Sequence, residues 1–362
     1  MHRSNMIPVA AFAVALVLVF GQCGDGGRAP DQATTPMLTA EQLKAVNDLR
    51  ERALALFAPL PDKVEHAAGA DGPQKVALGR KLFMDPRLSL DSSISCNSCH
   101  RLDLGGADTE PTSTGVNGQK GGRNSPTVYN AALHNMQFWD GRAADVEQQA
   151  GMPVLNPVEM AIPDERFLVD RLKGTAEYPA LFQAAYPGEA EPLTYANIRE
   201  AIGAFERTLV TPSRFDAFLN GDNTALDSTE MAGLGLFMDV GCATCHNGAA
   251  VGGASLQKFG VHKDYRTLTG SPAGDVGRAQ VTGDSADRDV FKVPGLRNIT
   301  ETAPYFHDGR VAELDKAIRV MAEAQLGKAL TDTEVEALRG FLELLTGERP
   351  AFVAADSAVV SH

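Results

Sequence analysis

Wherever the hydrophobic positions of this chain recur regularly, they recur at helical spacing. Leu43, Val46, Leu49 and Leu54 follow Thr39, with Gln42 three residues after it as in a capping box, and predict a first helix. Ile198, Ile202, Phe205 and Leu209 line one face of a second, spanning Thr194 to Leu209. Leu314, Ile318 and Met321 mark a third. A fourth runs from Thr331 to Leu345 and is stopped by Gly347 and then Pro350. No run alternates apolar and polar residues for long enough to predict a strand, and loops rich in Gly, Pro and Ser fill the intervals. The pattern predicts an all-α fold with long irregular loops.

One apolar run stands outside this pattern. Ile7 to Phe20 is fourteen residues long and follows His2 and Arg3. It is short for a membrane span and suits the core of a signal peptide, residues 1–22, with a flexible linker over 23–38. Export implies an oxidising compartment, here the periplasm. Cys23, just behind the run, is either a lipid-anchoring cysteine or one discarded with the leader.

Composition bounds size and partner class. The 362 residues are enough for two domains, and 44% of them are hydrophobic. The formal net charge of -13 argues against a nucleic-acid partner and favours a basic protein.

The chain also repeats itself. "SPTVYNAALHNMQFWDGR", ending at Arg142, aligns with "VPGLRNITETAPYFHDGR", ending at Arg310, and matched pairs such as Asn130 with Asn298 and Phe138 with Phe306 stand 168 residues apart. Upstream, "GRKLFMD" (Gly79 to Asp85) and "GLGLFMD" (Gly233 to Asp239) each precede a Cys-x-x-Cys-His pentad. This is a duplicated domain. Its halves run over 39–209 and 210–348, with the boundary near Val210 to Ser213 and a tail over 349–362.

Cys-x-x-Cys-His is the attachment signature of haem c. Two thiols add to the two vinyl groups of one porphyrin, and the following histidine becomes the proximal iron ligand. Cys96, Cys99 and His100 thus hold one haem, and Cys242, Cys245 and His246 a second. A zinc site made from both cysteine pairs, or two disulfides, leaves the histidines unexplained. The pairs also lie 146 residues apart, where zinc ribbons separate theirs by about 15–20.

With "LFMDPRLS", "GGAD", "NSPTVYNA", "QFWDGRA", "NPVEM", "TAPYFHDG" and "AQLG" in order between Gly79 and Gly347, the chain resembles the bacterial dihaem cytochrome c peroxidases. The resemblance implies two cytochrome c-like haem domains. The C-terminal haem collects electrons from a small donor, a cytochrome c or a cupredoxin, and the N-terminal haem reduces hydrogen peroxide. It implies that Met321 faces His246 across the C-terminal iron, although pattern alone makes Met321 a core residue of its stripe. Thioether ligation raises the reduction potential, as an electron-entry haem requires. It implies Glu159 as the catalytic acid–base residue, where an isolated glutamate is ordinarily a solvated charge, with Gln149 lining the same pocket. Trp139, the only tryptophan, is implied to couple the haems; a buried indole with a satisfied N–H explains it equally. Its repeat partner, His307, is expected to hydrogen-bond near the second haem. The resemblance further implies one calcium ion held by Asn124, Thr302 and Pro304 between the domains, and a homodimer.

One departure matters. Many members of the family carry a distal histidine in the loop after the first pentad. Here that loop is "TSTGVNGQKGG", Thr112 to Gly122, with Val116 near the expected position and no imidazole. The N-terminal haem is therefore expected to be five-coordinate or water-ligated and to need no reductive activation, with His134 as the substitute ligand that would prevent this. Two other functions remain open at this point. Relatives that oxidise tryptophan in a partner protein also lack the loop histidine, but those that mature methylamine dehydrogenase use tyrosine where Met321 stands. A non-enzymatic dihaem carrier would have both irons fully ligated and no task for Glu159.

Overall fold

A computed structural model describes residues 38–66, 69 and 71–353. The expected signal peptide, Cys23 and the end of the tail lie outside the described residues. The first half carries α1 (Ala40–Leu54), α2 (Pro73–Met84), α3 (Cys96–Cys99), α4 (Val146–Leu155), α5 (Glu165–Lys173), α6 (Tyr178–Ala185) and α7 (Tyr195–Glu206). The second carries α8 (Arg214–Leu219), α9 (Ser228–Val240), α10 (Arg266–Thr269), α11 (Ala279–Thr282), α12 (Leu314–Leu326) and α13 (Asp332–Leu344). The four helices predicted from periodicity are α1, α7, α12 and α13. Thr194 caps α7 by accepting from the Asn197 N–H at 3.1 Å. Thr331 and Glu334 form a full capping box on α13. The architecture is mostly helical. Among the described residues its one regular ribbon is antiparallel, β1 (Leu256–Lys258) with β2 (Val290–Lys292), Leu256 lying opposite Lys292. Strands of three residues are too short to show alternation in sequence.

The duplication is visible in how helices cross. α2 packs on α7, and α9 packs on α13. At each crossing a glycine lets two backbones meet: a Cβ at Gly79 would collide with the Ala201 carbonyl, and one at Gly233 with the Ala337 carbonyl. A phenylalanine pair closes each crossing, Phe83 with Phe205 at 5.4 Å between ring centroids and Phe237 with Phe341 at 4.9 Å. Asn130 and Asn298 both adopt left-handed backbone (φ 60° each), as do Phe138 (65°) and Phe306 (70°). Asparagine tolerates this region; phenylalanine does so only where the surrounding structure holds it.

The halves are fastened together at both ends and in the middle. α1, first in the chain, packs on α8 and α9 of the second half. Phe57 behind it joins Phe215, Phe237 and Phe341 in an aromatic cluster. Conversely, Phe352 at the end of the chain packs on Phe205 of the first half, with ring centroids 5.7 Å apart. Between the halves, the buried Thr211 hydroxyl accepts from Asn130 Nδ2 at 2.7 Å and from Asn298 Nδ2 at 2.8 Å. One threonine at the boundary thus serves two repeat-related asparagines. No helix among the described residues is long and apolar enough to cross a membrane.

Candidate active site and electron-entry site

Each pentad opens onto its own cavity. Cys96, Cys99 and His100 line the first, of about 530 Å³, inside the roughly 300–1,000 Å³ usual for small-molecule sites. Cys242, Cys245 and His246 line the second, of about 230 Å³. The two cysteine pairs do not converge, and no group of three or more His, Cys, Asp or Glu among the described residues is arranged to hold a metal ion. A shared zinc site is therefore excluded by placement. Burial pushes the Cys99 and Cys242 thiols up to about 11 and keeps Cys96 and Cys245 protonated as well. His100 Nδ1 donates to the Pro126 carbonyl at 3.0 Å. A carbonyl only accepts, so this bond fixes the tautomer and leaves Nε2 unprotonated, the form in which an imidazole can bind iron. His246 is held neutral by burial, with a pKa of about 4. Its Nδ1 makes no fully formed hydrogen bond, although the Pro294 backbone lies close enough to oppose the burial effect; Pro294 is the repeat partner of Pro126. Both donor sets fit haem c.

The cavities differ in what else lines them. The first gathers Glu159, Gln149 and Trp139 around the pentad. Gln149 comes from α4, whose cap Asp145 accepts from the Gln148 N–H at 2.7 Å. Glu159 sits in the Asn-Pro-Val-Glu turn, where its N–H donates to the Asn156 carbonyl at 3.0 Å. Burial raises the Glu159 carboxyl above its ordinary value, against the nearby Arg142 guanidinium and a hydrogen bond from Asn156. Among the described residues lining this cavity, His100 has the only imidazole. Its one thioether, Met160, belongs to the first-half hydrophobic core. The loop carrying Val116 is pinned to the same turn: the Val116 N–H donates to the Glu159 carbonyl at 2.8 Å and Gln119 Nε2 to the Pro157 carbonyl at 3.0 Å. The Val116 side chain is fully buried and is not among the residues lining the cavity.

The second cavity contains His246 and Met321, the latter from α12. His134 is here too, and not in the first cavity, so the imidazole expected as a substitute ligand for the N-terminal haem lines the other site. His307 is buried, stacked on Phe291 at 4.2 Å between centroids. Asn124, Thr302 and Pro304 also line this cavity.

A single wall separates the two. Asn124 to Thr127 and Trp139 line both cavities. Trp139 Nε1 donates to the Asn124 carbonyl at 2.9 Å, and its ring lies 6.3 Å from His307 between centroids. The indole is thus both satisfied and placed between the sites. Arg123 braces the wall across the halves, bonding Asp140 at 2.6 Å and Asp275 at 2.7 Å.

Sequence reasoning missed Glu206 and Lys292. Glu206 lines the first cavity, is 5% exposed, and is pushed up to about 8 by burial alone. A carboxyl two turns beyond Ile198 and one beyond Ile202, on the buried stripe of α7, is the signal that could have found it.

Residues 73–224 match the family described as di-haem cytochrome c peroxidase. The chain is 46% identical over 316 residues to a cytochrome c551 peroxidase of Pseudomonas aeruginosa, covering 86% of this chain and 90% of that one. It is 47% identical over 277 residues to a cytochrome c551 peroxidase of Nitrosomonas europaea, covering 76% and 80%. Among solved structures, a MauG-like protein associated with microbial copper homeostasis superposes with a TM-score of 0.70 at 30% identity, covering 80% of this chain and 94% of that one. The chain belongs to the di-haem cytochrome c peroxidase family.

Proposed function

We propose that this protein reduces hydrogen peroxide to water in the periplasm, with electrons from a small, basic redox protein such as a cytochrome c. The halves act as two haem domains, the first peroxidatic and the second electron-accepting. The reading is carried by one observation: a half-buried carboxyl, Glu159, lines the first cavity, whereas a thioether, Met321, lines the second. When bound, the two haems supply the redox-active irons. The chain's own residues supply the rest. Glu159 takes a proton from one peroxide oxygen and delivers it to the other as the O–O bond breaks. Its raised pKa brings it closer to the working pH than an ordinary glutamate. Gln149 orients peroxide beside it. Trp139 fills the wall through which an electron passes, and Met321 with His246 would hold the second haem. A chain net charge of -13 suits a basic donor.

The first haem is active without prior reduction. What supports this is the pinned, histidine-free loop and the location of His134 at the other cavity. One calcium ion binds Asn124, Thr302 and Pro304. In support, Asn124 Nδ2 donates to the Glu110 carbonyl at 3.1 Å, so the oxygen is the end of the amide that a hard cation would take. Elemental analysis should find one calcium per chain; none after dialysis against a weak chelator, with full activity, would refute that site. The test of the function is steady-state peroxide consumption by the holoprotein with reduced cytochrome c. Consumption slowed by about a hundredfold or more in Glu159→Gln supports the reading, and no consumption by the wild type sinks it.

A further inference from the structure

Lys292 is 4% exposed, at the end of β2, and its Nζ donates to His134 Nδ1 at 3.1 Å. Among the described residues it has no carboxylate partner. An ammonium buried in an apolar cavity without a counter-ion is costly, and such groups are normally paired. The setting is built to shape: a Cβ at Gly253 or Gly295 would run into the His134 ring. Burial alone brings Lys292 down to about 8, and burial together with Lys292 keeps His134 neutral, so neither group supplies the missing negative charge. An anion must come with the ligand that fills the cavity.

The internal repeat sharpens this. The 168-residue offset maps Lys292 onto Asn124 and His134 onto Thr302, two residues of the candidate calcium site. The backbone agrees: the Asn124 N–H donates to the His307 carbonyl at 2.8 Å, and the Lys292 N–H to the Trp139 carbonyl at 2.6 Å. The two halves grip each other through equivalent bonds. On one side of this pseudo-symmetry stand oxygen donors for a mobile cation; on the other stands a cation fixed to the chain.

We propose that Lys292, with His134 as its neutral hydrogen-bond partner, is the resident cation of the second cavity and holds a propionate carboxylate of the haem attached at Cys242 and Cys245. This rests on the reading that the second pentad carries haem. A positive charge beside that haem favours its reduced form, so Lys292 raises the potential of the electron-entry site and does so next to Trp139, on the wall shared with the first cavity.

The test uses the purified holoprotein, first assayed by pyridine haemochrome for two haems per chain. A wild-type count below two would sink the haem reading, and this proposal with it. Given two haems, spectroelectrochemical titration should show the midpoint of the Met321-side haem shifted downward in Lys292→Met and close to wild type in Lys292→Arg, with the other haem moving less. An unchanged midpoint in fully loaded Lys292→Met overturns the proposal. Should that variant fail to load, the crystal structure of the wild-type holoprotein decides. Nζ within about 2.7–3.2 Å of a propionate oxygen supports the assignment; propionates paired elsewhere, with Nζ meeting no carboxylate, refute it.

Discussion

At Gly79 and at Gly233 the two halves solve the same problem in the same way, by letting a helix backbone rest on a neighbouring carbonyl. One turn further along the partner helices they diverge. The offset of 136 residues that matches Ala201 with Ala337 and Phe205 with Phe341 also matches Glu206 with Leu342. Both residues line their cavities, one a buried carboxyl and the other a hydrocarbon. The same contrast recurs at the centre of each site, with Glu159 in the first cavity and Met321 in the second. Duplication preserved the helix crossings behind both cavities and changed the few side chains that give each cavity its chemistry.

The largest effect should come from removing the acid–base group of the first half. Glu159→Gln should lower kcat/KM for peroxide by about 10²–10⁴-fold, the range usual for such residues, with both haems still bound. Because burial raises the Glu159 pKa, wild-type activity should fall as pH drops through that raised value, on a limb lying above that of an ordinary glutamate. A pH–rate profile unchanged in Glu159→Gln would show that the carboxyl has no part in proton transfer. In the second half, Met321→His should move the electron-entry haem downward by an appreciable part of the roughly 0.8 V that axial ligands span and slow turnover with the protein donor. Spectroelectrochemistry reads the shift, and an unmoved potential would show that Met321 is a core residue only.

Much of this was legible in the sequence. The pentads declare their chemistry because thioether attachment fixes both residue types and spacing, and the amphipathic stripes of α7, α12 and α13 declare helices. α2 and α9 were harder to see, because their contact faces contain Gly79 and Gly233, and a glycine at a backbone crossing reads as a gap in an apolar stripe. Lys292 was hidden for the opposite reason. A lysine between Phe291 and Val293 reads as exposed, and only the cavity beyond β2 gives its ammonium a buried destination. The sequence offered His134 only as a substitute ligand for the first haem; its contact with Lys292, 158 residues away, puts it in the second cavity.

Smaller effects should test the likeness rather than the difference. Gly79→Ala and Gly233→Ala should each destabilise the holoprotein by about 1–3 kcal/mol, as overpacking does, and by similar amounts in denaturant unfolding. A loss in only one variant would show that the crossings are not equivalent. Smallest, Glu206→Gln should flatten the dependence of thermal stability on pH. The folded-state pKa of Glu206 is raised from 4.5 to about 8, so the folded state holds an extra proton across that window and the stability present below it is lost as pH rises through it. A melting curve series between pH 5 and pH 8 that declines equally in wild type and variant would mean the carboxyl is ionised in the fold.

The most direct test of the asymmetry between the halves is the electron paramagnetic resonance spectrum of the fully oxidised holoprotein, recorded before any reductant is added and again after one equivalent of peroxide. One high-spin and one low-spin ferric haem, with the high-spin signal alone responding to peroxide, is the result expected of a first haem open beside Glu159 and a second closed by His246 and Met321. Two low-spin haems, indifferent to peroxide until an electron is supplied, would contradict it.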